Sequence, residues 1–525
     1  MKIRVLAAAV LAAGAAGLTA CAGTGSAPST AASDKTIPLL RVGIPYNETS
    51  LDETKNIGAD WISGLSLETL LTFGPRGQLE PALATSWART SPVTYVYRLR
   101  PGVKFWDGHP LTATDVAYSL NYDRAASSDV AFAFAGVKSI VATDLDTVTV
   151  TLTQPEANWQ YVPAEESSYI FEEAFQQAHK ATFGNPGTLV MGTGPWEVDS
   201  FDPTKGADLS ANPNWWGGKA PIQHISLTIF ASETSEALAF RAGEIDWAPQ
   251  INDPKAFASA SGAKLQSVPS CGNAFFGMNV TDPGWSDVHV RRAVAYALNR
   301  TDIIAANGGY AQPIYTLTPP SLLSAVASPS QINALLGSVP LYSYNLAKAQ
   351  QEMAQSAYPH GFTTTVLTTN DGNSLNVSQV IAAELAKIGI RVQLKSVTDD
   401  AWDAVETGPA SKRMTSFSTG GCFNPDPSAY SDWLSSQNTQ VGSWNFSDYK
   451  PASVDDLMAA GLSATSPAQR FGVYTKLFQQ LQTDEPYVGL FVSDAVMALS
   501  PKFAYPEFSG WIWNIDYALG IKPAS

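Results

Sequence analysis

Apolar and polar positions alternate with a period of two along several stretches of this chain. Tyr95, Tyr97 and Leu99 alternate with Val96, Arg98 and Arg100, Val148, Val150 and Leu152 alternate with threonines, and Ile225, Leu227 and Ile229 alternate with polar or small residues. That period marks strands with one buried face, and Leu39 to Ile44 reads as a further strand. Elsewhere the spacing is helical. Thr112-Ala-Thr-Asp115 caps a helix running through Val116 and Leu120, and Asn345 caps one with Leu346, Ala349 and Met353 inward. Asp287 precedes a helix that gathers Val290, Val294, Ala297 and Leu298 on one side and Arg291 and Arg292 on the other. Thr363 to Leu367, Ser378 to Ile388 and Ile390 to Leu394 read as strand, helix and strand, a β-α-β unit. The pattern predicts a mixed α/β protein.

The start of the chain departs from this pattern. Lys2 and Arg4 precede an apolar run from Val5 to about Ala16, and small residues lead up to Cys21. This is the layout of a secretory signal, and the run is shorter than the ~20 residues a membrane-spanning helix needs. Leu18-Thr-Ala-Cys21 resembles a bacterial lipobox, which implies cleavage before Cys21 and lipid attachment to its sulfur. Residues 1–20 are then the signal peptide and residues 21–36, rich in Ala, Gly, Ser, Thr and Pro, a flexible tether. No later segment is long and apolar enough to span a bilayer, so the mature chain is expected outside the cytoplasm, held to the cell membrane by its lipid, in a periplasmic space or on the outer face.

Length and charge narrow the function. A chain of 525 residues exceeds a single compact core, so two or three domains are expected. With 32 Lys and Arg against 47 Asp and Glu, no basic stripe is available for nucleic acid. Cys271 and Cys422 are the only cysteines besides Cys21, and two thiols in an exported chain more often pair than stay free. The five histidines are scattered, so no metal site is expected. Ser261-Gly-Ala-Lys264 matches the S-x-x-K of penicillin-interacting enzymes, but the sequence lacks the Lys-Thr-Gly that completes such a site. Neither catalysis nor a cofactor is expected.

Several blocks carry a family resemblance. Leu79-Glu-Pro-Ala-Leu-Ala-Thr-Ser-Trp87 is followed by the stretch from Tyr97 to Val116, which contains Val103-Lys-Phe-Trp-Asp-Gly-His-Pro110. Gly192-Thr-Gly-Pro-Trp196, Asn212-Pro-Asn-Trp-Trp-Gly-Gly-Lys219, Gly243-Glu-Ile-Asp246, Asp287 to Arg300, Ala386-Lys-Ile-Gly-Ile390 and Glu485-Pro-Tyr487 come after it in order. Together these resemble the extracellular solute-binding proteins of peptide-type ABC importers, bacterial family 5, from about Leu39 to Tyr517. The resemblance implies a two-lobed periplasmic-binding-protein type II fold with an extra inserted domain. Residues 37–78, 191–312 and 496–525 would form the first lobe, 79–190 the inserted domain and 313–495 the second lobe. It also implies a monomer that traps a small solute between closing lobes and delivers it to a permease and its ATPase; a surface sensor would bind in the same way. Peptide is the leading ligand class, with oligosaccharide next. Read on their own residues, Gly192-Thr-Gly194 is a connector, and the turn around Trp215 and Trp216 is a packing anchor.

The resemblance places four stretches at the cleft. They are Tyr46 and Asn47 in the loop after the first strand; Phe275, Gly277 and Asn279 on one face of a strand; Trp402; and the loop Gly420-Gly-Cys-Phe-Asn-Pro-Asp-Pro427 with Gly421, Phe423, Asn424 and Asp426. Core packing is the competing reading for Trp402 and Phe275. Peptide-binding relatives carry an aspartate just before the closing Asp-Pro, where it holds the peptide's amino group, whereas this loop has Cys422-Phe-Asn-Pro425. Asp426 matches the turn-forming Asp of Asp-Pro. The expectation is a ligand held by stacking and backbone contacts, nearly indifferent to blocking of its amine, with Cys271 and Cys422 bonded across the site.

Overall fold

Every second side chain of the strand Leu40–Ile44 is apolar and wholly buried, and the strand lies at the centre of a sheet. The computed structural model describes residues 36–44, 48–55, 61–258, 264–422, 424–439, 443–511 and 517–524. Leu40–Ile44 pairs in parallel with His224–Ile229, Val42 facing Leu227, and through Val42 with Trp247. Gly206–Ala211 and Trp196–Asp202 extend that side as antiparallel strands. On the other side Thr363–Thr369 pairs in parallel with Arg391–Val397 and, through Leu367, with Ser416–Gly420. The two halves form one sheet of eleven strands.

Two long strands, Lys264–Gly277 and Tyr487–Leu499, join the halves. They run antiparallel from Lys264 opposite Leu499 to Gly277 opposite Tyr487, with a shift of register between Pro269 and Asn273. One end packs in a core with Val42, Trp196 and Trp247, the other between cores built around Val294 and Tyr474. The register shift falls where the chain passes between those cores, and a bulge of this kind bends and twists a ladder.

A separate sheet of four strands comprises Ala84–Ser91, Thr94–Leu99, Thr147–Leu152 and Val137–Asp144. Tyr95, Tyr97, Leu99, Val148, Val150 and Leu152 all turn into its core, as their alternation predicts. The helix Ala113–Asp123 covers it and begins at the capping box read in the sequence: Thr112 accepts from the Asp115 backbone N–H, and Asp115 accepts in return. The β-α-β helix starts earlier than its hydrophobic spacing suggests, at Gly372, because Asp371 accepts from the Ser374 N–H and caps it there. Val103 to Trp106 forms only a single bridge, Lys104 to Pro110, before Gly108 turns the chain at a φ of +93°.

The glycine and tryptophan blocks pack rather than bind. A Cβ on Gly192 or Gly194 would lie 2.3 or 2.6 Å from the Ser66 carbonyl oxygen, so only glycine fits against that turn. Thr193, Trp215 and Trp216 all donate to the buried carboxylate of Glu68, which burial pushes up to about 7 against the pull of those donors.

Candidate functional site

Where the long strands change register, a cavity of about 330 Å³ opens. Ser270, Cys271, Gly272 and Asn273 of one long strand and Ser493 to Val496 of the other form one wall. Thr419 to Cys422, leaving the strand Ser416–Gly420, form a second. Gln250, Ile251 and Asn252, together with Glu165 and Glu166, complete the lining. These two glutamates follow short 3-10 turns whose Trp159, Val162 and Ala164 are buried in the core of the four-stranded sheet. Three separately packed regions therefore meet at one cavity.

Cys271 and Cys422 are joined in a disulfide, with Cα atoms 5.8 Å apart, and both line the cavity. The bond ties the bulge of the long strand to the loop after Gly420. Tyr430, wholly buried, donates its hydroxyl to the Cys271 carbonyl and holds the same corner from below.

The residues of the loop have separate tasks. Asp426 accepts from the backbone N–H and hydroxyl of Ser428, capping the turn Pro427–Trp433, and its two oxygens take the Arg470 guanidinium at 2.6 and 2.8 Å. Both partners of this pair are buried. Asn424 accepts from the Asp426 N–H and donates at 2.8 Å to Glu165 Oε1 across the gap between regions. Burial pushes the Glu165 carboxyl up to about 8; the Asn424 hydrogen bond opposes this, and the neighbouring charges of Glu166 and Asp426 add to it. Gly421 has open space where a Cβ would be, whereas a Cβ on Gly420 would meet the Trp433 ring at 1.8 Å.

Other candidates lie away from this cavity. Phe275 is fully buried, its ring 4.7 Å from that of Trp433 and packed edge-on against Tyr487, and Gly277 leaves room for the Tyr487 ring. The alternation that put Phe275 and Gly277 on one face is present, but that face turns into a core. Asn279 is two residues beyond the strand and buried; it donates to the Arg413 carbonyl and accepts from Thr281, which fixes a turn. Trp402 packs edge-on against Phe446 and borders a second cavity, of about 240 Å³, with Asp371, Asp399 and Asp403. Tyr46, Asn47 and Phe423 lie outside the described residues, as do Cys21 and Ser261.

The sequence reading missed the acidic residues of the cavity. Glu165 and Glu166 sit far from the loop in sequence, and no periodicity links them to it. Asp494 did carry a signal: it is the one carboxylate in the otherwise apolar or small run Val488–Leu499, and such a residue in a strand interior calls for a partner. The structure supplies Ser267 as donor to its Oδ2, and Oδ1 is left without one. Away from the cavity, His109 Nδ1 lies 2.8 Å from Asp107 Oδ2 and from Glu172 Oε1, the one grouping of possible metal ligands found among the described residues. These hydrogen bonds and charges, Glu172 foremost, raise the His109 pKa, as in a clasp between two surface segments.

The model of the middle region of bacterial extracellular solute-binding proteins, family 5, matches residues 78–441. The glutathione-binding protein GsiB of Escherichia coli K12 is 26% identical over 477 residues, covering 87% of this chain and 90% of its own. The periplasmic binding protein DppA from Helicobacter pylori, solved with the peptide STSA, superposes with a TM-score of 0.76 at 22% identity, over 94% of this chain and 99% of its own. The oligopeptide-binding protein AppA from Bacillus subtilis, solved with a nonapeptide, gives 0.74 at 20% identity, over 94% and 100%. The fold is accordingly that of type II periplasmic binding proteins, and this chain belongs to the bacterial extracellular solute-binding proteins of family 5.

Proposed function

We propose that this protein captures a peptide in the cavity at the register shift and passes it to the permease and ATPase of an ABC importer. The observation that carries this reading is the meeting of three regions at one cavity of about 330 Å³, with a hydrogen bond from Asn424 to Glu165 spanning the gap. Residues 37–78, 191–312 and 496–525 act as the first lobe, 313–495 as the second and 79–190 as the inserted domain that carries Glu165. Closure of such lobes buries a ligand and excludes water from it. Gly420, Gly421 and the strand ends beside them offer backbone groups to an extended chain, as in β-strand addition. GsiB, by its name, binds glutathione, itself a small peptide, and DppA and AppA were solved with peptides. An oligosaccharide is disfavoured, because among its described residues the cavity has no aromatic ring on which a sugar could stack.

The protein works as a monomer outside the cytoplasm, tethered through lipid on Cys21. Native mass spectrometry of protein purified from its own cell envelope tests the ligand class: a released species that fragments into amino-acid residues is expected, and one that loses hexose units overturns the reading. For the tether, Cys21→Ser should move the protein from the membrane fraction to the soluble fraction. Continued membrane association of that variant would remove the lipid from the account.

A further inference from the structure

The cavity holds three carboxylates, those of Glu165, Glu166 and Asp494, and its described lining includes no lysine, arginine or histidine. The nearby cation Arg470 is already committed to Asp426. Glu165 is 6% exposed, and its carboxylate receives one side-chain hydrogen bond, from the neutral amide of Asn424. Its Oε2 has no donor among the described residues. Asp494 Oδ1 is buried and without a partner among the described residues, and Asp494 lines the same cavity. Buried carboxylates without a counter-charge are costly, and a cavity lined by several of them selects for the missing positive charge.

We propose that Glu165 receives an ammonium group of the bound ligand, with Glu166 and Asp494 supplying the surrounding negative field. This assignment rests on the peptide reading above and names the ligand class within it: peptides with a free amino terminus or a lysine side chain directed at the inserted domain. It replaces the expectation, drawn from the loop alone, that the amine goes unrecognised. The carboxylate comes from the inserted domain, so the ligand's charge and Asn424 meet on one side chain. In the empty protein burial holds the Glu165 carboxyl protonated at neutral pH, its value pushed up to about 8 with Glu166 and Asp426 adding to the shift. An incoming ammonium takes the place of that proton. The balance is one proton released from Glu165 per ligand bound, with no covalent step.

The test uses the whole mature protein, freed of ligand by unfolding and refolding with its disulfide intact. A tryptic digest of serum albumin is offered as it stands and after acetylation of its amino groups, and retained peptides are identified by mass spectrometry. Wild type should retain peptides from the untreated digest and favour them over acetylated ones by about 50-fold, the usual scale for a buried charge-assisted contact. Glu165→Gln keeps an acceptor for Asn424 and should lower that preference to within about threefold while its circular dichroism spectrum stays that of the wild type. For a retained peptide, calorimetry at pH 7 in two buffers of different ionisation enthalpy should show release of close to one proton by wild type and none by Glu165→Gln. Equal retention from both digests by wild type overturns the ammonium assignment and leaves the peptide reading standing. Retention from neither digest overturns the peptide reading, and the assignment built on it falls too. Equal weakening toward free and acetylated peptides in Glu165→Gln assigns the residue a structural role and overturns the proposal.

Discussion

Two buried carboxylates, Asp426 and the Glu165 that its neighbour Asn424 touches, are treated in opposite ways. Asp426 has a bidentate guanidinium, a backbone N–H and a hydroxyl, so its charge is fully answered from inside the fold. Glu165 has a single amide donor. The difference separates a carboxylate that holds the loop in shape from one left available to something that arrives. A buried acid by itself signals neither role. What distinguishes the two is whether the protein supplies the counter-charge.

The strongest way to break this comparison is to remove the partner of Asp426. Arg470→Met leaves a buried, unpaired carboxylate and should destabilise the protein by about 3–5 kcal/mol, read by urea unfolding. A loss below about 1 kcal/mol would mean the pair is not what shapes the loop. Replacing Cys271 and Cys422 together by serine removes a crosslink with a sequence separation of 151 and should lower stability by about 2–4 kcal/mol. Unchanged unfolding would show that the corner is held by Tyr430 and the strands alone.

Glu165 should act through pH. Its folded pKa of about 8 lies above the unfolded value of ~4.3, so between these limits the folded state holds a proton that the unfolded chain has released. Stability of the empty protein therefore falls as pH rises from 4.3 toward 8, by up to about 1.4 kcal/mol per unit from this group, and levels off above it. Glu165→Gln should flatten that slope, and the difference in thermal midpoint between the two proteins from pH 5 to pH 8 reads it directly. Parallel profiles would place the Glu165 carboxylate in contact with solvent. The smallest effect is expected at Gly421→Ala, within about 0.5 kcal/mol, because nothing occupies the space its Cβ would take.

Much of the scaffold was legible because its signals are local. The capping box at Thr112 and Asp115, the caps at Asp287 and Asn345, and the alternation from Tyr95 to Leu99 each involve residues within a few positions of one another. The candidate site was less legible, for the complementary reason. The Asn424 to Glu165 hydrogen bond joins positions 259 apart, and which carboxylate reaches the loop depends on how the inserted domain packs. Phe275 and Gly277 show a second limit. Period two tells that they share a face, but both faces of a central strand are covered, so it cannot say which one borders open space. Trp402 is similar: an aromatic on an amphipathic helix packs on Phe446 with the same spacing it would need to meet a ligand.

The disulfide also bears on how the molecule is made. Cys271 sits inside the register shift of the longest strand pair, between Pro269 and Asn273. A slip of that pair by one residue would turn Ala274 and Phe276 out of their core and carry Cys271 away from Cys422. Oxidation of the two thiols thus succeeds only on a correctly threaded sheet. The bond thereby locks the alignment of strands that meet from distant parts of the chain.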